Sequence, residues 1–279
     1  MAHELPFIAA INEAIMLEME RDDTVLYFGQ NMATTENEPY VDAFGKDRVR
    51  VTPISETAEI GMAIGAALAG YRPVVELYMA EFMLVAMDQV INEAPRFRAM
   101  TGGQVKVPLV LKAGYGFTAG WSGQHTGSIY GMFMGVPGLK VAVPSTAADA
   151  KGLMAAAIRD DNPVVYLHHY LLTLEHGEVP DGEYLVPFGE AAIRREGTDV
   201  TIVGTGSEAG TAERPKAGPS RRVAAYRSAR SVRGRSRRRN APSRSSPFST
   251  SSLTTSRRTP RSDTTRPIRA ARPPPSQAR

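Results

Sequence analysis

The 279-residue chain contains no cysteine, which excludes disulfides, zinc–thiolate centres and cysteine nucleophiles. No uninterrupted apolar stretch reaches membrane-spanning length, so no transmembrane helix is expected. The amino terminus, Met1 to Pro6, runs straight into a helical pattern. That leaves no room for a signal or transit segment and points to a cytoplasmic protein. Phosphate loops of the GxxxxGK[ST] kind, HExxH metal helices and GxSxG elbows are all missing, which removes the common nucleotide-binding and hydrolase readings. Tryptophan occurs once, at Trp121.

Charge divides what is present. Residues 1–207 hold 14 Lys+Arg against 26 Asp+Glu, a net of −12, whereas residues 208–279 hold 19 against 3, a net of +16. The overall +4 averages two unlike regions. The first reads as an acidic globular domain and the second as a basic tail.

Within 1–207, short Val-, Ile- and Leu-rich runs alternate with helical patterns. Strands are expected at Thr24–Gly29, Val49–Thr52, Pro73–Met79, Pro108–Lys112, Lys140–Val143, Pro163–Leu167 and Asp199–Val203. They lack clean polar alternation, as strands covered on both faces should. Helices are expected at Phe7–Arg21, Glu56–Ala69, Leu84–Thr101 and Ala147–Asp160, the last capped by Ser145 or Thr146. The fold class is therefore α/β, with a doubly wound, mostly parallel sheet. Ligands of such sheets bind beyond the carboxyl ends of the strands. The small residues Gly61, Gly65 and Gly70 recur along the second helix, which predicts a face closely approached by another backbone.

Three strand-end features carry candidate chemistry: Glu56 in Thr52-Pro-Ile-Ser-Glu, Tyr78 and Phe82 in Tyr78-Met-Ala-Glu-Phe, and the glycine-rich loop from Gly114 to His125. Position alone leaves each an ordinary structural reading. Glu56 suits a helix's first turn, Phe82 suits a core, and His125 suits a solvated loop. Adjacent His168 and His169 would point to opposite faces of a strand and make a poor shared metal site.

The run from Pro53 to Glu76, continuing through Phe82, Asp88–Ala94, Gln124-His125, Pro137–Val141 and Ala157–Pro163, resembles the β subunits of pyruvate, branched-chain 2-oxo acid and acetoin dehydrogenases. The resemblance spans residues 5–207 in order. It implies a transketolase-like pyrimidine-binding domain and the cofactor thiamine diphosphate, shared with an α subunit. It also implies that a buried, raised-pKa Glu56 holds a proton on the aminopyrimidine. Tyr78 and Phe82 would then contact that ring, and His125 would position substrate and assist acyl transfer to lipoamide. Ala157, Ile158, Asp160 and Asn162 resemble a potassium site of some members, although a plain helix end fits equally. Magnesium is held in the family by a Gly-Asp-Gly segment of the α subunit, and no such segment occurs here. The implied partners are that α subunit, a second copy in an α2β2 assembly, and the lipoyl acyltransferase component.

The resemblance stops at Gly204–Ser207. Family members continue into a second α/β domain, but here the next helix is expected to be absent. Residues 208–279 form an Arg/Ser/Pro-rich text with few aliphatic residues, for which disorder is expected. A shifted reading frame in a GC-rich gene accounts for that text. The competing reading is an inactive fragment whose tail binds nucleic acid. Only Tyr226 and Phe248 interrupt the tail as aromatics, which disfavours nucleic acid as a partner.

Overall fold

The computed structural model describes residues 1–30, 38–117, 121–213, 221–225 and 228–229. All lie within one compact unit, Met1–Gly234. Most of the basic tail, and with it the expected disorder, falls outside the described residues.

The central sheet joins β2 (Val25–Gly29), β3 (Val49–Val51), β4 (Arg72–Met79), β5 (Val110–Tyr115), β6 (Lys140–Ala142), β7 (Val164–His169) and the short β12 (Ser228–Ala229). Its order is β12-β6-β7-β5-β4-β2-β3. Every pairing from β6 to β3 is parallel, and β12 runs antiparallel along β6. Both faces are covered, which is why these strands read as continuous apolar runs. On one face α1 (Phe7–Arg21) and α6 (Ala147–Arg159) pack Phe7, Ile11, Ile15 and Leu153 against Val74, Val110 and Val164. On the other, Ile60, Ala63, Ile64 and Ala67 of α3 (Glu56–Leu68) share a cluster with Val75, Leu111 and Val165. The expected seven strands and the helices at 7–21, 56–69 and 147–160 are present, with ends shifted by a few residues. Thr146 rather than Ser145 caps α6, its Oγ1 accepting the Asp149 N–H at 3.1 Å.

The expected helix Leu84–Thr101 is not one α-helix. Residues Ala80–Ala86 form a 3₁₀ helix, Asp88–Glu93 a π turn, and only Ala94–Met100 an α-helix, α4. Pro95 explains the break. It donates no N–H, and its ring clashes with the carbonyl four residues back in an ideal helix, so the backbone widens just before it.

Elements not foreseen include β1 (Ala2–Pro6), which pairs antiparallel with β8 (His176–Pro180) and registers Ala2 with Pro180. Helix α2 (Glu38–Arg48) and the single turn α5 (Tyr130–Met134) were likewise unforeseen. Beyond the main sheet, β9 (Ala192–Arg195), β10 (Val200–Gly204) and β11 (Arg221–Ala225) form a small sheet in the order β10-β11-β9. Helix α7 (Ser207–Glu213) joins β10 to β11, which run parallel. The helix expected to be missing after Ser207 is therefore present, though only seven residues long.

The glycine stripe of α3 also differs from expectation. A side chain added at Gly61 or Gly65 would meet nothing within 4 Å. Within this chain the stripe faces open space, and the packed face is the aliphatic one.

Candidate functional site

The three strand-end features converge because β3, β2, β4 and β5 are sheet neighbours. Glu56 opens α3 after β3. Its side chain is buried, with the residue 8% exposed. Acidic residues suit a helix's first turn, where free N–H groups and the helix dipole favour negative charge. Among the described residues its carboxylate has no hydrogen-bond or ion-pair partner. Thr57 Oγ1, the next residue, donates to Val85 O at 3.2 Å and ties this turn to the 3₁₀ segment that carries Phe82. Phe82 in turn meets His125 edge to face, ring centroids 5.7 Å apart.

The loop bearing His125 is held from below. Glu81 Oε1 accepts the Gly127 N–H, and the Gly116 N–H donates to Gly127 O at 3.2 Å. The other oxygen, Glu81 Oε2, is buried without a partner. Trp121 stands between Tyr78 and Tyr170, at centroid distances of 5.6 and 5.2 Å. Tyr78 ends β4 with φ of 63°, a left-handed conformation uncommon for a tyrosine. The β4–β5 register shifts here, and Tyr170 Oη donates to Tyr78 O at 2.9 Å. The strand thereby turns out of the sheet toward the Phe82 segment.

The carboxyl raised by burial in this turn is that of Glu59, one helical turn beyond Glu56. It is pushed up to about 7, with the neighbouring Glu56 and Glu76 charges adding to the burial effect. Hydrogen bonds from Thr52 Oγ1 at 2.5 Å and Gln30 Nε2 at 3.1 Å pull the other way. The sequence reading passed over Glu59, although its place three residues after Glu56 was a visible signal. It also passed over Glu76 and Lys112, a buried ion pair across β4 and β5. Charges inside otherwise apolar strands are the signal for such a pair.

The oxygens of the turn Ala157–Asn162 are taken by protein donors. Arg72 Nη1 donates to Ile158 O at 3.0 Å and Asp160 O at 3.2 Å. Lys140 pairs with the Asp160 carboxylate, and Arg98 donates to Asn162 Oδ1 at 3.0 Å. Ala157 O accepts the Asp160 N–H at 3.2 Å. His168 and His169 part as expected: His168 points to the α1 face, and His169 packs edge to face on Tyr115.

The profile of the family described as "Transketolase, pyrimidine binding domain" matches residues 3–172. The chain belongs to this family. The pyrimidine-binding unit is 44% identical over 219 residues to the acetoin:2,6-dichlorophenolindophenol oxidoreductase subunit beta of Cupriavidus necator, covering 73% of this chain and 64% of that one. It is 38% identical over 205 residues to the 2-oxoisovalerate dehydrogenase subunit beta of Bacillus subtilis, covering 71% and 63%. The pyruvate dehydrogenase E1 component subunit beta of Rickettsia conorii is 41% identical over 199 residues, covering 70% and 61%. The chain thus spans less than two thirds of the length of these three relatives. A solved split-gene transketolase, described as an inactive beta4 tetramer, shares the fold, with a TM-score of 0.63 and 20% identity. It covers 78% of this chain and 70% of its own.

Proposed function

We propose that this chain is the β subunit of a thiamine-diphosphate-dependent 2-oxo acid or acetoin dehydrogenase, acting in decarboxylation and acyl transfer to lipoamide with an α subunit. The observation that carries the reading is Glu56, a buried carboxylate with no partner inside the described chain, set at a helix start beside Phe82 and His125. A buried polar group without a partner is costly, so an external partner at this position is called for. An aminopyrimidine nitrogen able to share a proton fits. Glu56 then holds that proton, Phe82 packs on the ring, Tyr78 shapes the wall, and His125 positions the substrate and the acyl acceptor. Glu81 keeps the His125 loop in place through Gly127. When bound, thiamine diphosphate supplies a carbon nucleophile and an electron sink for loss of carbon dioxide.

The diphosphate half of the site is assigned to the partner. The sequence has no Gly-Asp-Gly, and among the described residues no cluster of His, Asp and Glu could hold a metal ion. Magnesium is therefore placed on the α subunit. Val51, Ile54, Val85 and Phe117 lie exposed around the site, an apolar rim suited to that contact. The open Gly61–Gly65 stripe suits close approach by another helix in an α2β2 assembly. The acyltransferase component is proposed as a further partner. Potassium at Ala157, Ile158, Asp160 and Asn162 is not part of the proposal, because Arg72, Lys140 and Arg98 already occupy the oxygens it needs. No described helix is long and apolar enough to cross a membrane, and the proposed setting is the cytoplasm.

We assign residues 1–207 to the pyrimidine-binding domain with the first strand of a second domain, and the text after Ser207 to a departure from the family's reading frame. The nucleic-acid-binding alternative has no support among the described residues. Resequencing across the codons for Thr201 to Arg222 tests the departure, since another frame should resume helix and strand patterns. For the site itself, Glu56→Gln in a complex reconstituted with an α subunit should abolish turnover without loss of secondary structure. Retained turnover would remove Glu56 from the proposed role.

A further inference from the structure

The face of the sheet that carries α1 contains a second concave site, and it does not include Glu56, Phe82 or His125. A cavity of about 190 Å³ lies at the carboxyl ends of β2, β4, β5 and β7. Its charges cancel. Lys112 Nζ pairs with Glu76 Oε2, which also accepts from Tyr27 Oη at 3.3 Å. Glu76 Oε1 accepts the Tyr78 N–H at 3.1 Å. Burial, with the charge of Lys112 and then His169 beside it, holds the His168 imidazole well below its ordinary range and therefore neutral.

Against this neutral background, polar atoms are left without partners. His168 is 6% exposed, and its Nδ1 has none. Thr173 Oγ1 is likewise buried and unpaired. The side-chain amide of Asn12, on the α1 wall, makes no hydrogen bond among the described residues. Native structures rarely leave such groups unsatisfied, and each calls for an explanation. The remaining wall is aromatic: Tyr78, Trp121 and Tyr170 stack in sequence along one side. An apolar cavity of about 150 Å³ is enough for benzene, so this one accepts a body of comparable size.

We propose that this cavity is a binding site for a small neutral molecule with a compact apolar body and a hydroxyl or carbonyl group. The aromatic wall covers the body, while His168, Thr173 and Asn12 satisfy the polar end. A carboxylate is disfavoured because Glu76 lies in the wall and Lys112 is already neutralised. A pure hydrocarbon is disfavoured because it leaves the imidazole and the hydroxyl unpaired. Trp121 belongs to the loop that also carries His125, so occupancy of the cavity bears on the position of that loop.

The sole tryptophan lines the cavity, which supplies a readout independent of thiamine chemistry, partner subunits or turnover. Cyclohexanol is the probe: neutral, compact, hydroxylated and transparent where Trp121 emits. Titrated into the full chain, it should give a saturable change in Trp121 emission. Methylcyclohexane and cyclohexanecarboxylate should require clearly higher concentrations. Thr173→Val keeps the side-chain shape and should weaken cyclohexanol about five-fold, the worth of one neutral hydrogen bond. Asn12→Leu, which fills the cavity from the α1 side, should abolish the saturable response. Three results would overturn the proposal: a linear response identical for all three compounds, undiminished binding in both variants, or ordered water alone in crystals soaked with cyclohexanol. The activity of a reconstituted complex plays no part in any of these outcomes, so failure here leaves the assignment of Glu56 untouched.

Discussion

Glu59 gives the sharpest quantitative test of the site's electrostatics. Its residue is 3% exposed, and burial raises its carboxyl from 4.5 to about 7. An acid raised in the folded state is harder to ionise there than in the unfolded chain. Stability at this position is therefore fully present below the unfolded value and lost as pH climbs through about 7. The gap corresponds to about 3 kcal/mol, already net of the Thr52 and Gln30 hydrogen bonds that oppose it. Glu59→Gln keeps the shape and removes the titration, with the Gln30 amide free to turn its oxygen toward the new donor. Unfolding by urea, followed by far-ultraviolet circular dichroism at pH 5 and pH 8, compares the two proteins. The wild type should lose about 3 kcal/mol relative to the variant across that window, equivalent to about 10 °C in Tm for a unit of this size. Every other titrating group cancels in the double difference. A relative change under about 0.5 kcal/mol, or one of opposite sign, would refute the assignment of Glu59 as a carboxyl held neutral by its surroundings.

Two further outcomes follow from geometry. Lys112→Met leaves Glu76 buried without its cation and should cost about 3–5 kcal/mol, whereas adding Glu76→Leu should restore most of the loss; chemical denaturation of the three variants measures this. Thr146→Ala removes the cap on α6 and should cost about 1 kcal/mol, read as a lower urea midpoint with an unchanged slope.

The parts of the fold that were legible in the sequence are those whose burial pattern is one-dimensional. Runs such as Val74–Leu77 and Val164–Leu167 announce strands covered on both faces, and the 3.6-residue spacing of Phe7, Ile11 and Ile15 announces α1. What escaped depends on partners far away in the chain. β1 is mostly polar and is a strand only because β8 pairs with it. The helix expected at 84–101 failed through a single local conflict, Pro95, whose effect on the preceding turn was underweighted. Site residues divide likewise. Glu56, Phe82 and His125 were named through a family resemblance, since their side chains alone supported ordinary readings. The Glu76–Lys112 pair was hidden because each residue belongs to a different strand, and only the β4–β5 register brings them together. The glycine stripe of α3 predicted close packing, yet it meets nothing in this chain, because small residues record proximity without naming the neighbour.

The clasp between β1 and β8 has a consequence for synthesis. Ala2 registers with Pro180, and α1 seals against α6, which ends at Arg159. A nascent chain therefore cannot close this side of its core until nearly all of the first 180 residues have left the ribosome. Until then the stripe of Ile11, Ile15 and Met19 stays open to water, a state prone to wrong association. Once Pro180 emerges, the clasp and the sheet from β6 to β3 draw on nothing further along the chain. The information for this closure is complete before Ser207 is translated, so whatever the ribosome appends after that residue comes too late to alter how the amino-terminal layers meet.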